Sequence, residues 1–333
     1  MNLQNRIEVL TKLGAYIKDK SEKWQQVVTR ASISNPWFTE EFIYLAADNI
    51  ADCFLNSQKL KQWADHYHLD DLIQPRKIGI VMAGNIPMVG FHDLLCVFIT
   101  GHQQFIKLSS KDNILLHHLI DYLGEIEPEI KQLIIVADQL KGCDAYITTG
   151  GQQSATHFEK YFGQYPNIIR RNRTSVAILD GTETNDILQK LSDDIHLFFG
   201  LGCRNVTKIY VPENYDFVPL IKSFSHYDYF RNISKYANNY DYQLSMLLMN
   251  SIKYMSSEST LLTEEKSFFS PICMLHYEFY NDREKILKTL SSNDSIQCIV
   301  GNGEGLISFG NAQQPALLNY ADGVDTIQFL LTL

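Results

Sequence analysis

From residue 77 onward the chain alternates short apolar runs with stretches of helical period, and this alternation restricts the fold more than any other feature. KIGIVMAGNIP (77–87) reads as a buried strand ending in a turn, VGFHDLLCVFITG (89–101) as a helix stopped by Gly101, and QQFIKLSS (103–110) as a second strand. A helix over NILLHHLIDYLGEI (113–126), strands at LIIVAD (133–138) and AYITTGG (145–151), and a helix at QQSATHFEKYF (152–162) complete one series. A second begins with strand TSVAILDG (174–181), helix NDILQKLSDDIHLFFG (185–200) and strand VTKIYVP (206–212). Strands separated by helices of roughly 10–15 residues belong to βαβ units, so two doubly wound, mainly parallel α/β lobes are expected. Further strands are expected at PICMLHYEF (271–279), SIQCIVGN (295–302) and TIQFLLTL (326–333), with a helix around YQLSMLLMNSIKYM (242–255).

Residues 1–70 read differently. Leu10, Leu13, Ile17, Trp24 and Val27 recur at helical spacing, and Phe42, Leu45, Ile50 and Phe54 continue it, with Asn35 before Pro36 as the expected helix start. No catalytic constellation occurs there, so a packing region is expected.

Charge narrows the class of partner. Lys plus Arg is 29 against Asp plus Glu 38, a formal net charge of −9, which disfavours nonspecific nucleic-acid or anionic-membrane binding. No apolar stretch approaches the roughly 18 residues of a membrane span, and MNLQNRIEVL lacks the pattern of a signal peptide. The six Cys have no CxxC spacing, so reduced thiols in a cytoplasmic protein are expected. No metal is expected: His66 with His68, and His117 with His118, lack ligand partners at a recognised spacing.

One cysteine differs from the rest by context. Cys96, Cys273 and Cys298 lie in apolar runs, where Cys is usually a small buried hydrophobe. Cys203 follows Gly200-Leu201-Gly202, a turn that exposes amides, and precedes Arg204 and Lys208, whose charges favour a thiolate. Context alone leaves nucleophile and structural thiol both open.

The order of segments resembles the aldehyde dehydrogenase superfamily, and within it the acyl-CoA reductases of the LuxC type. AGNIP (83–87) is similar to the strand-end Asn-x-Pro motif, which places Asn85 at the oxyanion-hole asparagine. FIKLSSK (105–111) is similar to the cofactor-ribose motif, with Lys107 at the lysine and Ser109, Ser110 and Lys111 behind it. ITTGG (147–151) resembles the segment that opens the helix below the pyrophosphate, with Thr149, Gly150 and Gly151. FFGLGCRNVTKIYVP (198–212) resembles the nucleophile loop, with Cys203 at the catalytic cysteine, and ISFGN (307–311) and NYADGVDTIQFL (319–330) resemble closing segments. The resemblance implies an N-terminal helical region over 1–70, a Rossmann-like cofactor domain over 71–173 and a catalytic domain over 174–305. Residues 306–333 would return to the cofactor and oligomerisation region. It also implies a homo-oligomer, and leaves an acyl synthetase or transferase partner open.

Departures from the family sharpen the chemistry. Hydrolytic members carry a Glu that activates water, and here Ile169 stands at that position, with no carboxylate between Lys160 and Asp180. Ser267, before FFSP (268–271), replaces the Glu that positions the cofactor. Lys111 lies where NAD-selective relatives carry a carboxylate, and a cation there attracts a 2′-phosphate, so NADPH is the expected cofactor. The reading is NADPH-dependent reduction of a fatty acyl-CoA or acyl-carrier thioester to the aldehyde. Alternatives are a short-chain CoA-acylating aldehyde dehydrogenase, a γ-glutamyl phosphate reductase, and a catalytically silent acyl-carrier-binding subunit. GNGEG (301–305) reads as a turn despite its likeness to a dinucleotide fingerprint. Arg170, Arg171 and Arg173 suit either a CoA phosphate or a solvated loop, and the aromatics His226–Phe230, Tyr236, Tyr240 and Tyr242 either an acyl tunnel or core.

Overall fold

Four N-terminal helices begin where a short polar side chain takes up a helix-end amide. The computed structural model describes residues 1–333, the side chain of Gln152 apart. Asn2, Ser21, Thr39 and Asn56 cap α1 (Leu3–Asp19), α2 (Glu22–Ser34), α3 (Glu40–Cys53) and α4 (Ser57–His66). The expected start at Asn35 is wrong by one cap. Asn35 closes α2, its side chain accepts the Trp37 amide in a turn across Pro36, and Thr39 opens the next helix.

The first parallel series follows: β1 (Lys77–Val81), α5 (Phe91–Thr100), β2 (Gln103–Lys107), α6 (Asn113–Ile126), α7 (Ile130–Leu133), β3 (Ile134–Val136), β4 (Ala145–Thr149), α8 (Gln152–Phe162) and β5 (Asn167–Arg170). The strands form one parallel sheet in the order β3-β2-β1-β4-β5. The second series is β6 (Thr174–Ile178), α9 (Asn185–His196), β7 (Val206–Pro212), α10 (Phe217–Ser223), α11 (Ser234–Met249), β8 (Met255–Ser256), β9 (Leu261–Glu264), β10 (Met274–Tyr280), α12 (Arg283–Ser291) and β11 (Ile296–Gly301). Its sheet has the order β11-β6-β7-β10-β9-β8, parallel except for the short edge strand β8. Val176, Ile178, Ile209 and Val211 are buried, as strands covered on both faces by helices must be. The expected α/β fold with parallel sheets and a helical N-terminal region is what forms.

The C-terminal run TIQFLLTL is a helix, α13 (Thr326–Leu331), where a strand was expected. An eight-residue run with five apolar residues is too short for its period to separate strand from buried helix, and the cap decides. Asp325 accepts the Gln328 amide at 2.8 Å, and Ile327 and Leu330, one turn apart, are buried. The chain divides into two compact units, residues 1–172 with 315–333, and residues 173–314. Within the first, α13 packs on α5, and Trp63, Tyr320, Tyr67 and Asp325 form a hydrogen-bonded chain from α4 to the cap of α13. No described helix is long and apolar enough to cross a membrane.

Arg170 also differs from expectation, fitting neither a phosphate site nor a solvated loop. It is buried (4% exposed), its guanidinium paired with the Asp93 carboxylate of α5 and donating to Thr326 Oγ1 at 2.9 Å. It is therefore a tether among β5, α5 and α13 and is not exposed to a phosphate. Arg171 is exposed and pairs with Glu159. Stranding one charge of a buried pair is costly, so Asp93→Ala is expected to lower the unfolding free energy by about 3–5 kcal/mol. Urea titration should show most of that loss recovered in the double variant Asp93→Leu, Arg170→Met.

Candidate active site

The sequence-expected nucleotide residues gather at one edge of the first sheet. Register places Val81, Lys107 and Thr148 side by side at the carboxyl ends of β1, β2 and β4. Strand order reverses between β1 and β4, the position at which doubly wound sheets hold their ligands. Asn85 lies half-buried in the loop after β1; Lys107, Ser110, Lys111 and Gly151 are exposed; Ser109, Thr149 and Gly150 are half-buried. Gly84 is crowded, since a Cβ there would stand 2.5 Å from Ser109 Oγ, so the Asn85 loop and the loop after β2 are in close contact. Lys111 has its amide on Ser109 Oγ at 3.3 Å and its carbonyl on the Asn35 side chain at 3.1 Å, and its side chain reaches solvent.

The start of α8 suits a phosphate. A Cβ on Gly150 would meet Ser154 Cβ at 2.8 Å, whereas one on Gly151 would meet nothing within 4 Å. Gly151 is the N-cap, and no side-chain cap occupies the helix end among the described residues. Open amides with the helix dipole behind them form an anion site. Ile169 is a half-buried interior residue of β5.

Cys203 belongs to the second unit and is held from behind. After α9 the chain turns through Leu197–Gly200 with Phe198, Phe199 and Gly200 at φ of 55°, 57° and 72°. Left-handed backbone costs a non-glycine residue roughly 1 kcal/mol or more, and burial of both phenylalanine rings offsets it here. The buried Asn205 fixes the turn. Its Nδ2 donates to the carbonyls of Asp194 (3.1 Å), Ile195 (3.3 Å) and Leu197 (2.8 Å), and its Oδ1 accepts the Gly202 amide at 2.8 Å. Ser175 Oγ donates to the Cys203 carbonyl at 3.0 Å and lies 3.0 Å from Cys298 Sγ. The Cys203 side chain itself is half-buried.

Of the charges near Cys203 in sequence, Lys208 is engaged elsewhere in space. Lys208 is fully buried, with Nζ on Glu278 (2.6 Å) and on the Lys266 carbonyl (2.9 Å), so it holds the loop that carries Ser267. Arg204 lies against Cys298, where its charge and Ser175 oppose the upward push that burial gives that thiol. Burial raises the thiols of Cys143, Cys96 and Cys273 as well. None of the six cysteines forms a disulfide, and no metal-holding group of His, Cys, Asp and Glu occurs among the described residues. Ser175 and the three carbonyl bonds of Asn205 have no signal in the sequence, because their partners lie at distances in the chain that no local period encodes.

Behind the turn is an aromatic core. His196 is stacked on Tyr227 with centroids 4.6 Å apart; its Nδ1–H donates to the Ser192 carbonyl, and its Nε2 accepts from Thr260 Oγ1 at 2.6 Å. Phe230 and Tyr236 are buried beside it, while Tyr229 and Tyr242 face solvent. The cavity bounded by His196, Phe199, Tyr236, Thr260 and Cys273 is about 20 Å³. That is room for one water, so this part of the tract is core rather than tunnel.

Asn205→Ala would leave buried carbonyls unmet and is expected to cost about 3 kcal/mol of stability in urea titration. Full burial pushes the His196 pKa from 6.5 down to about 4. The unfolded chain therefore binds this proton first. Its contribution is complete above pH 6.5 and is lost as pH falls toward 4, about 3 kcal/mol in all. Unfolding free energies across that window should show the slope, and His196→Gln should flatten it.

No protein-family model and no curated protein matches the chain in sequence. Solved structures do match in fold. Aldehyde dehydrogenase 21 of Physcomitrella patens, in complex with the reaction product succinate, has a TM-score of 0.64 at 14% identity, over 91% of this chain and 74% of that one. The glyceraldehyde-3-phosphate dehydrogenase GapN of Methanocaldococcus jannaschii, complexed with NADP, has a TM-score of 0.62 at 11% identity, over 90% and 75%. An aldehyde dehydrogenase of Mycobacterium tuberculosis, complexed with NAD+, has a TM-score of 0.61 at 10% identity, over 86% and 70%. The chain has the aldehyde dehydrogenase fold.

Proposed function

We propose that this protein reduces an acyl thioester, a fatty acyl-CoA or acyl-carrier adduct, to the aldehyde through a thioacyl intermediate on Cys203, with NADPH as reductant. The observation that carries the reading is the Cys203 turn: a half-buried thiol on a loop whose backbone is fixed by Asn205 and Ser175. Such a fixed thiol suits attack at one defined carbon.

In the proposed sequence, Cys203 Sγ bonds to the thioester carbonyl carbon. The amide of Asn85 and the Cys203 backbone N–H serve as donors to the developing oxyanion, each worth about 100- to 1,000-fold in rate. The tetrahedral adduct collapses, the carbon–sulfur bond to CoA breaks, and CoA leaves as a thiol once protonated. Gly150, Gly151 and the open start of α8 would hold the cofactor pyrophosphate, Lys107 and Ser109 its ribose, and Ser110 and Lys111 the 2′-phosphate end. Held there, NADPH would supply a hydride to the thioacyl carbon. The resulting thiohemiacetal expels Cys203 as aldehyde forms. Ile169 on β5 favours transfer to a thiol over hydrolysis, because it cannot take a proton from water.

The test is direct. Full-length protein incubated with labelled acyl-CoA and no nucleotide should retain label, and Cys203→Ala should abolish it. NADPH should then release aldehyde faster than NADH does. Positioned bases contribute about 100- to 10,000-fold, so release by water alone should be slow. Rapid oxidation of aldehydes to free acids without CoA would overturn the reading.

A further inference from the structure

A buried carboxyl joins the two loops of the nucleotide edge. Asp112 is 2% exposed and stands just before α6, at the end of the loop that carries Lys107, Ser109, Ser110 and Lys111. Its Oδ2 accepts the backbone amide of Met88 at 2.5 Å, across to the loop that carries Asn85. Met88 is itself left-handed at φ 55° and buried, so this bond holds a backbone conformation that the residue would not choose alone. Asp112 in turn is set by its own amide on the Ser109 carbonyl at 3.1 Å. The packing is tight on both sides: a Cβ at Gly84 would meet Ser109 Oγ at 2.5 Å and Asp112 Cβ at 3.2 Å. Residues 84 to 88 are therefore gripped at both ends by residues 109 to 112, with Asn85 in between.

The carboxyl does nothing else that the structure accounts for. Its Oδ1 is buried with no hydrogen-bond partner among the described residues, and no side-chain cap bond joins it to α6. Burial holds its pKa well above the ordinary carboxylate value. A group this poorly solvated is expensive to keep for stability alone, and the one bond it makes goes to the Asn85 loop.

We infer that Asp112 is a positioning residue for the reduction: through the Met88 amide it holds the Asn85 loop in the conformation that serves the oxyanion. The inference rests on the proposed role of Asn85, and the experiment separates the two. Acylation of Cys203 by labelled acyl-CoA is timed without nucleotide, and NADPH affinity is measured separately by nicotinamide fluorescence. The proteins compared are the unaltered chain, Asn85→Ala, Asp112→Ala, Asp112→Asn and the double variant Asn85→Ala, Asp112→Ala.

Asn85→Ala is expected to slow acylation about 100-fold or more. Asp112→Ala should slow it at least about 10-fold with NADPH affinity unchanged. Asp112→Asn, which keeps an acceptor for the Met88 amide, should restore the rate. The double variant should be no slower than Asn85→Ala, since Asp112 acts through Asn85. If Asp112→Ala does not fold, Asp112→Ser replaces it, being too short to reach Met88 yet favourable at a helix start. Effects that multiply independently within about two-fold overturn the inference and leave Asn85 in place, as does an unslowed Asp112→Ala. Unaltered acylation in Asn85→Ala removes Asn85 from the reaction, and the inference with it.

Discussion

The second unit is organised by a single buried amide. A helix ends with carbonyls that have no partner within it, and α9 ends in the interior, where water cannot serve them. Asn205 meets two of these carbonyls, and that of Leu197 just beyond, with one nitrogen and turns its oxygen to the Gly202 amide. One side chain thereby closes the helix and sets the turn. The next residue, Val206, begins β7 opposite Ser175 of β6, so the clamp also passes its geometry straight into the sheet. Cys203 lies inside the clamp, between Gly202 and Asn205, just before the strand begins.

The first unit solves the opposite problem. Its α8 begins without a side-chain cap and with a glycine at the cap position, leaving the end of the helix open. One helix end is sealed by a side chain, and the other is left without one. The glycines divide along the same line. Gly84 and Gly150 are forced by close neighbours, whereas Gly151 has open space where a side chain would be.

What was legible in the sequence follows from range. The strand-and-helix alternation, the AGNIP and ITTGG loops and the Cys203 turn are local patterns, and each falls where its pattern places it. The charge of Arg170 is visible locally, whereas its partners Asp93 and Thr326 lie 77 and 156 residues away. Lys208 was credited to Cys203 by nearness in sequence, while in space it serves Glu278 and Lys266. The terminal run is too short for its five apolar residues to separate strand from helix, and Asp325 as a cap is informative only beside a helix already suspected. Local chemistry shows in the residues themselves; long-range pairing does not.

The discontinuity of the first unit has a consequence for synthesis. Residues 173–314 form a unit contiguous in the chain, whereas residues 1–172 are joined in theirs by 315–333. A ribosome therefore delivers the whole of the second unit before the last piece of the first. Until α13 emerges, the His102 ring lacks the Leu330 carbonyl to which it donates at 3.2 Å, and Arg170 lacks Thr326. The unit begun first is finished last, and its final turn of helix acts as the latch.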